Sequence, residues 1–180
     1  MRIIAKNLLR ELSKITNQSN EAAQRFLQLP DEKLNHKNTA ESWSILECLE
    51  HLNLYGDYYL PEMKNQMDTS KSKAATDFKS GWLGNYFANS MKEKNGKITK
   101  MKSPKDKVPA TSHLSKETIH RFLSQTEELV SLIKEAETKD LNKIRIPISL
   151  SKYIKIKLGD TLRFYLYHIE RHIAQAERNI

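Results

Sequence analysis

The apolar positions of this chain recur mostly at helical spacing. Ile4, Leu8, Leu9, Leu12 and Ile15, continued by Ala22, Ala23, Phe26 and Leu27, mark one face of a helix over residues 4–28. A wobble is expected at Asn17–Asn20, and Pro30 closes the element. After the polar stretch PDEKLNHKNTAES, a second stripe holds Ile45, Cys48, Leu49, Leu52, Tyr55 and Tyr59. This helix should begin near Ser42 or Ser44, with Ser42 as its expected N-cap. Pro61 is expected to kink or interrupt it, since proline lacks the amide donor and crowds the preceding turn. Residues 77–91 (DFKSGWLGNYFANSM) read as a short aromatic helix or lid broken by Gly81 and Gly84. A third long helix covers about 116–138, with Ile119, Phe122, Leu123, Leu129, Val130 and Ile133 inward. The segment IRIPISLSKYIKIKL alternates like a strand but has no evident pairing partner elsewhere, so it reads as an extended connection with at most a short helix. Asp160 then caps a final helix over about 160–178.

Four main helices, only five glycines and no internal repeat predict an all-α bundle. The 180 residues fit a single domain, 1–180, of a size that folds without disulfides or metal. The lone cysteine, Cys48, lies on the core stripe and reads as a small buried apolar residue. With no apolar run near the ~20 residues of a membrane helix and no signal-peptide core, the chain is expected to be soluble and cytoplasmic. The net charge of +8 raises the question of an acidic partner. However, the seven lysines between Lys92 and Lys107 have no aromatic residues among them on which bases could stack. They read as a solvated loop, and nucleic-acid binding is not expected.

The last helix carries the most informative pattern. Leu162, Leu166, Ile169, Ile173 and Ala176 form its core stripe, while Arg163, Glu170, Arg171, Glu177 and Arg178 take the opposite and one lateral side. The remaining flank holds Thr161, Tyr165, His168, His172 and Gln175, which is polar without a formal charge and so expected to face protein or a pocket. Histidines at i and i+4 have Cβ atoms about 5–6 Å apart, close enough to converge on one ion, but a stable site needs a third ligand. His36 lies in a loop, His113 just before the third helix, and His120 beside Arg121 and near Lys116. His51 sits about a quarter turn off its core stripe with Glu47, Leu54 and Tyr58 around it, the same flank geometry as the histidine pair. From spacing alone two readings stand: three imidazoles meeting at one ion, or a hydrogen-bonded core histidine and an incidental pair.

The run ESWSILECLEHLNLYGDYYLPEM, with Trp and Ser opening a helix whose middle holds a His, resembles the second helix of the DinB/YfiT-like superfamily. The run KIKLGDTLRFYLYHIERHIAQAERNI is similar to its last helix, where HxxxH or a close variant precedes a Gln. The resemblance covers essentially the whole chain. It implies a DinB-like up-down-down-up four-helix bundle, here with a short extra helix or lid, and a divalent metal held by His51, His168 and His172. In that frame Gln175 orients a ligand or bound water. Glu47 is a candidate for a hydrogen bond supporting His51, with a partly exposed surface carboxylate as the plain alternative. Tyr58 and Tyr165 are candidates for lining the pocket, against ordinary amphipathic packing, and Trp43 reads as a packing anchor.

Activities known in the superfamily include metal-dependent transfer or isomerisation with low-molecular-weight thiols such as bacillithiol or mycothiol. The resemblance thus implies a bacterial, metal-dependent enzyme acting on a small molecule, foremost an S-transferase whose thiolate attacks a small electrophile. Three imidazoles suit zinc, nickel or iron. A hydrolase activating water, with Glu47 as the candidate base, is the alternative. A non-catalytic metal- or ligand-binding stress-response protein is a third reading. Homodimers are frequent in the family, and Trp82–Phe87 is open to use as interface or lid.

Overall fold

A computed structural model describes residues 1–92, 103–111 and 113–180. Most of the lysine-rich loop, residues 93–102, lies outside the described residues. Helix α1 (Ala5–Leu27) buries Leu8, Leu12, Ala23 and Phe26 along one face and runs through Asn17–Asn20 without the expected wobble. Thr16 and Ser19 are themselves buried there, and Thr16 Oγ1 returns its proton to the Leu12 carbonyl at 3.0 Å. Pro30 ends the approach and opens a short helix α2 (Asp31–Asn35), a role suited to its fixed φ and missing donor.

Helix α3 (Ile45–Thr69) takes Ser44 as its N-cap, two residues after Ser42. Ser44 Oγ accepts from Glu47 N at 3.2 Å while Glu47 Oε2 accepts from Ser44 N at 2.9 Å, a reciprocal capping box. Ser42 instead bonds the Thr39 carbonyl. Pro61 does not interrupt α3: its ring faces solvent, and Leu60 and Met63 beside it are fully buried. The packing of the flanking turns holds the helix where local propensity would break it.

Strand β1 (Arg2–Ile4) pairs antiparallel with β2 (Asp77–Lys79), setting Ile3 opposite the buried Phe78. Helix α4 (Trp82–Met91) follows, with Gly81 at its N-cap and Gly84 inside it. Gly84 is required by close packing, since a Cβ there would lie 2.4 Å from Asp160 Cβ. After a 3-10 turn at Lys105–Lys107 comes α5 (Glu117–Ala136), whose buried face matches expectation except at Val130, which is exposed.

The expected extended connection is a β-hairpin. Strand β3 (Arg145–Ile148) pairs with β4 (Ser151–Lys157), with Ile146 opposite Ile156 and both buried. The missing pairing partner is the segment's own second half. Pro147 removes one donor, and the register shifts next to it. Helix α6 (Leu158–Glu177) starts two residues before Asp160, which lies in its first turn rather than at its cap.

Cross-helix contacts fix the directions of the four long helices. Glu50–Arg121 and Lys64–Glu135 run in step, so α3 and α5 are parallel. Trp43–His172 and Tyr55–Phe164 run in opposite order, so α3 and α6 are antiparallel. Glu11–Tyr167 and Arg25–Glu177 make α1 and α6 parallel, and Asn20–Thr126 with Leu27–Lys116 makes α1 and α5 antiparallel. The order is therefore up-down-down-up, with α3 lying between α5 and α6. This is the all-α bundle expected, with small two-stranded sheets added.

Candidate metal centre

Antiparallel packing of α3 on α6 brings His51 to His168 and His172. The ring centroids stand 5.0, 4.6 and 4.7 Å apart, close to an equilateral triangle. One nitrogen from each imidazole can be chosen so that all lie within 4.8 Å of one another, and Nε2 of His51 is 3.1 Å from Nε2 of His168. All three are buried, with 2%, 5% and 8% exposure. His36, His113 and His120 are exposed and take no part.

The tautomer of His51 follows from its partner. Nδ1 lies 2.5 Å from the carbonyl oxygen of Lys107, which can only accept, so Nδ1 carries the proton and Nε2 presents a lone pair. The turn bearing that carbonyl is tied to α3 through Lys107 Nζ, which donates to the Leu54 carbonyl at 2.9 Å. Burial, with a smaller contribution from Lys107 and Arg171, pushes His51 down to about 4 despite the hydrogen bond to Lys107, which favours the charged ring. Burial and the charges of His51 and Arg171 push His172 down to about 3, opposed by Gln175, and burial holds His168 well below the usual imidazole range. At neutral pH the three rings are neutral, the form that ligates metals.

The cluster is unfinished within the chain: Nδ1 of His168 and Nδ1 of His172 are buried with no hydrogen-bond partner among the described residues, although buried ring nitrogens are ordinarily satisfied. The spacing of the opposite ring nitrogens, Nε2 of His51 and of His168, tests the fit of an ion. Two imidazole nitrogens on a tetrahedral ion at ~2.0–2.1 Å would stand about 3.3 Å apart, near the observed 3.1 Å separation. The cluster fits a divalent metal.

A family model of the DinB superfamily matches residues 15–176. The chain belongs to the DinB superfamily. No curated protein and no solved structure matches it. The match takes in the second half of α1, all of α3 and α5, and α6 up to residue 176, and with them both halves of the histidine cluster.

The remaining site residues fall differently from expectation. The carboxylate of Glu47 is engaged on both oxygens, one by Ser44 N and the other by Lys37 Nζ at 2.7 Å, so in this DinB protein it serves the helix cap rather than His51. Tyr58 points its hydroxyl at the Ile148 carbonyl (3.2 Å), and Tyr165 is a core residue against Tyr59; neither lines the cavity beside the histidines. The tyrosines that do are Tyr55 and Tyr59. They follow His51 at i+4 and i+8, a signal present in the sequence but absorbed into the core stripe. Trp43 is more than an anchor: its ring lies 4.7 Å from His51 and 5.6 Å from His172 and forms part of the cavity wall. Gln175 lines the same cavity beside His172. Cys48 is buried and its thiol is pushed up to about 12 by burial, which leaves it no thiolate at neutral pH.

Proposed function

We propose that this DinB protein is a divalent-metal-dependent transferase that joins a low-molecular-weight thiol to a small electrophile. One observation carries the reading: three buried, neutral imidazoles, each with a nitrogen within 4.8 Å of the others', converge at the wall of an open cavity of about 450 Å³. Zinc, nickel or ferrous iron held there by His51, His168 and His172 would keep a thiol deprotonated at neutral pH. Lys107 fixes the tautomer of His51 through its carbonyl, and Gln175 lines the cavity beside His172. Trp43 lies against the rings of His51 and His172 as part of the cavity wall.

Transfer is favoured over hydrolysis because water attack calls for a base within hydrogen-bond reach. Glu47 is committed to the helix cap, and the one carboxylate on the cavity wall among the described residues, Glu41, is exposed. In the transfer reaction the thiolate sulfur forms the bond to carbon, and the leaving group departs with its electron pair. The thiol proton would leave to solvent when the sulfur binds the ion, so the step calls for no base from the chain.

The test is metal content by plasma mass spectrometry, followed by turnover. About one transition-metal ion per chain is expected in wild type, and little in His51→Ala or His172→Ala. Metal-loaded protein should then consume a thiol from a panel including bacillithiol and mycothiol in the presence of 1-chloro-2,4-dinitrobenzene. Absence of metal uptake would sink the reading, and metal uptake with no turnover of any thiol would leave a metal-binding protein.

A further inference from the structure

The hairpin of β3 and β4 is used differently at its two ends. At the root Ile146 and Ile156 are buried opposite each other, and Lys157 Nζ donates to the Lys79 carbonyl at 2.6 Å. Towards the turn, the consecutive residues Lys152, Tyr153, Ile154 and Lys155 are all exposed. Side chains alternate between the two faces of a strand, so a strand lying flat on the body would expose only every second residue. Exposure of four in a row puts both faces of this stretch in water. The tip of the hairpin stands clear of the helices.

Much of what the tip exposes is apolar. Leu150 is 66% exposed, Tyr153 85% and Ile154 43%, and clustered apolar side chains left in water mark a contact surface. The charge around them has one sign. Between Leu141 and Gly159 the chain carries Lys143, Arg145, Lys152, Lys155 and Lys157 and no acidic residue. Lys152 and Lys155 interleave with the apolar residues of the tip itself.

These two properties select the occupant. A second copy of this chain seated tip to tip would bring like charges together, with no acid on either hairpin to offset them. A nucleic acid would take the lysines and leave Leu150 and Ile154 in water. An anionic bilayer suits both, its headgroups drawing the lysines and its interfacial zone receiving the aliphatic and tyrosine side chains. We propose that the hairpin tip docks this protein onto an anionic lipid surface, with Leu150, Tyr153 and Ile154 entering the interface and Lys152 and Lys155 at the phosphate headgroups. Such docking is peripheral and calls for no spanning helix; among the described residues no helix is long and apolar enough to be one. Leu150 also lines the cavity beside the histidines, together with Ile148 and Ser149, so docking sets one edge of that cavity against the membrane. It needs no metal in the histidine cluster.

Cys48 is the sole cysteine and is buried, so Ser151→Cys places a selectively reactive thiol at the tip for an environment-sensitive fluorophore. The labelled full chain is sedimented with vesicles of phosphatidylcholine alone, or with about one third phosphatidylglycerol, in ~0.1 M salt. Binding to the anionic vesicles should be at least tenfold tighter, with a blue shift of the label and quenching by brominated acyl chains. Lys152→Glu combined with Lys155→Glu should weaken it at least tenfold, and Leu150→Ser combined with Ile154→Ser at least fivefold. All four residues are exposed, so the thermal midpoint of each double variant should stay at the wild-type value. No preference for anionic vesicles, or binding that either double variant retains in full, would overturn the assignment. A label that stays in water while the protein sediments would overturn it too, leaving a purely electrostatic attachment. Tighter binding to a single-stranded oligonucleotide than to vesicles would give the face to nucleic acid. A dimer without vesicle binding, lost on Leu150→Ser with Ile154→Ser, would give it to a second copy. Zinc uptake without vesicle binding would remove this inference and leave the proposed function standing, and vesicle binding by a chain that takes up no zinc would do the reverse.

Discussion

Helix α6 carries two buried polar clusters about two turns apart, and they are finished in opposite ways. At its first turn, Asp160 and Arg163 are fully buried, with 0% and 2% exposure. Asp160 accepts from Gly81 N at 2.8 Å and from Ser80 Oγ, and Arg163 reaches Ser80, Asn85, Asn89 and Asp160 itself. Only Arg163 Nε is left over. Further along, His168 and His172 meet His51 with two Nδ1 atoms unsatisfied and a cavity at their side. The first cluster is closed on its own chain: it clamps β2 and α4 to α6. The second is built to the same degree of burial and left incomplete. Burial of polar groups therefore does not by itself mark function in this molecule; an unfinished set of partners beside open volume does.

The comparison is broken most severely at the closed cluster. Asp160→Ala would leave the Arg163 guanidinium buried without its counter-charge, a situation that costs about 3–5 kcal/mol. Urea unfolding should show a midpoint lowered accordingly, while zinc bound per folded chain stays at the wild-type value. An equal fall in zinc stoichiometry at temperatures where the variant is folded would mean the two clusters are one unit.

The open cluster should respond in the opposite sense. At a thousandfold excess over its dissociation constant, zinc should stabilise wild type by ~4 kcal/mol. His172→Ala should lose nearly all of that gain, yet unfold within about 1 kcal/mol of wild type when both are metal-free, because the ring it removes has a partnerless nitrogen. Calorimetry with and without zinc reads both quantities. A metal-free His172→Ala protein destabilised as strongly as Asp160→Ala would show the histidines to be structural.

A smaller effect probes the clamp. A Cβ at Gly84 would come within 2.4 Å of both Cβ and Cγ of Asp160, a fixed neighbour and not the loose end of a flexible chain. Gly84→Ala should cost about 1–3 kcal/mol through overpacking. The thermal midpoint should fall while zinc uptake is retained.

How much of this was legible in the sequence depended on whether a feature is written in side chains. The four long helices were visible because each buries a stripe at helical spacing, and the flank of His168, His172 and Gln175 stood out by lacking charge on a helix rich in it. The hairpin was not visible, since Pro147 interrupts its ladder and its partner strand is its own continuation. Arg163 looked solvent-facing because nothing in the spacing of α6 foretells that α4 covers it. Lys107 could not have been singled out at all, because it supports His51 through a backbone carbonyl that any residue possesses. Glu47 misled for the converse reason: a carboxylate one turn before His51 suits a supporting role, but Ser44 three residues earlier had prior use for it.

The finest separation of the two clusters is by pH on metal-free protein. Burial depresses His172 to about 3 and His51 to about 4, whereas in the unfolded chain both return to the ordinary value near 6.5. Between those limits the unfolded state binds protons that the folded state does not, so stability is complete above pH ~6.5 and is lost as the pH falls toward 4. Between pH 7.5 and 5.5 a single such histidine contributes a loss of about 1.4 kcal/mol. His172→Ala should therefore show a shallower decline than wild type by about that amount, measured by urea unfolding at the two pH values. Gly84→Ala, which disturbs only the closed cluster, should decline in parallel with wild type from a lower starting point. Parallel curves for His172→Ala would mean that the ring is protonated as readily in the folded protein as in the unfolded one, and that the histidine cluster is wetter than its burial implies.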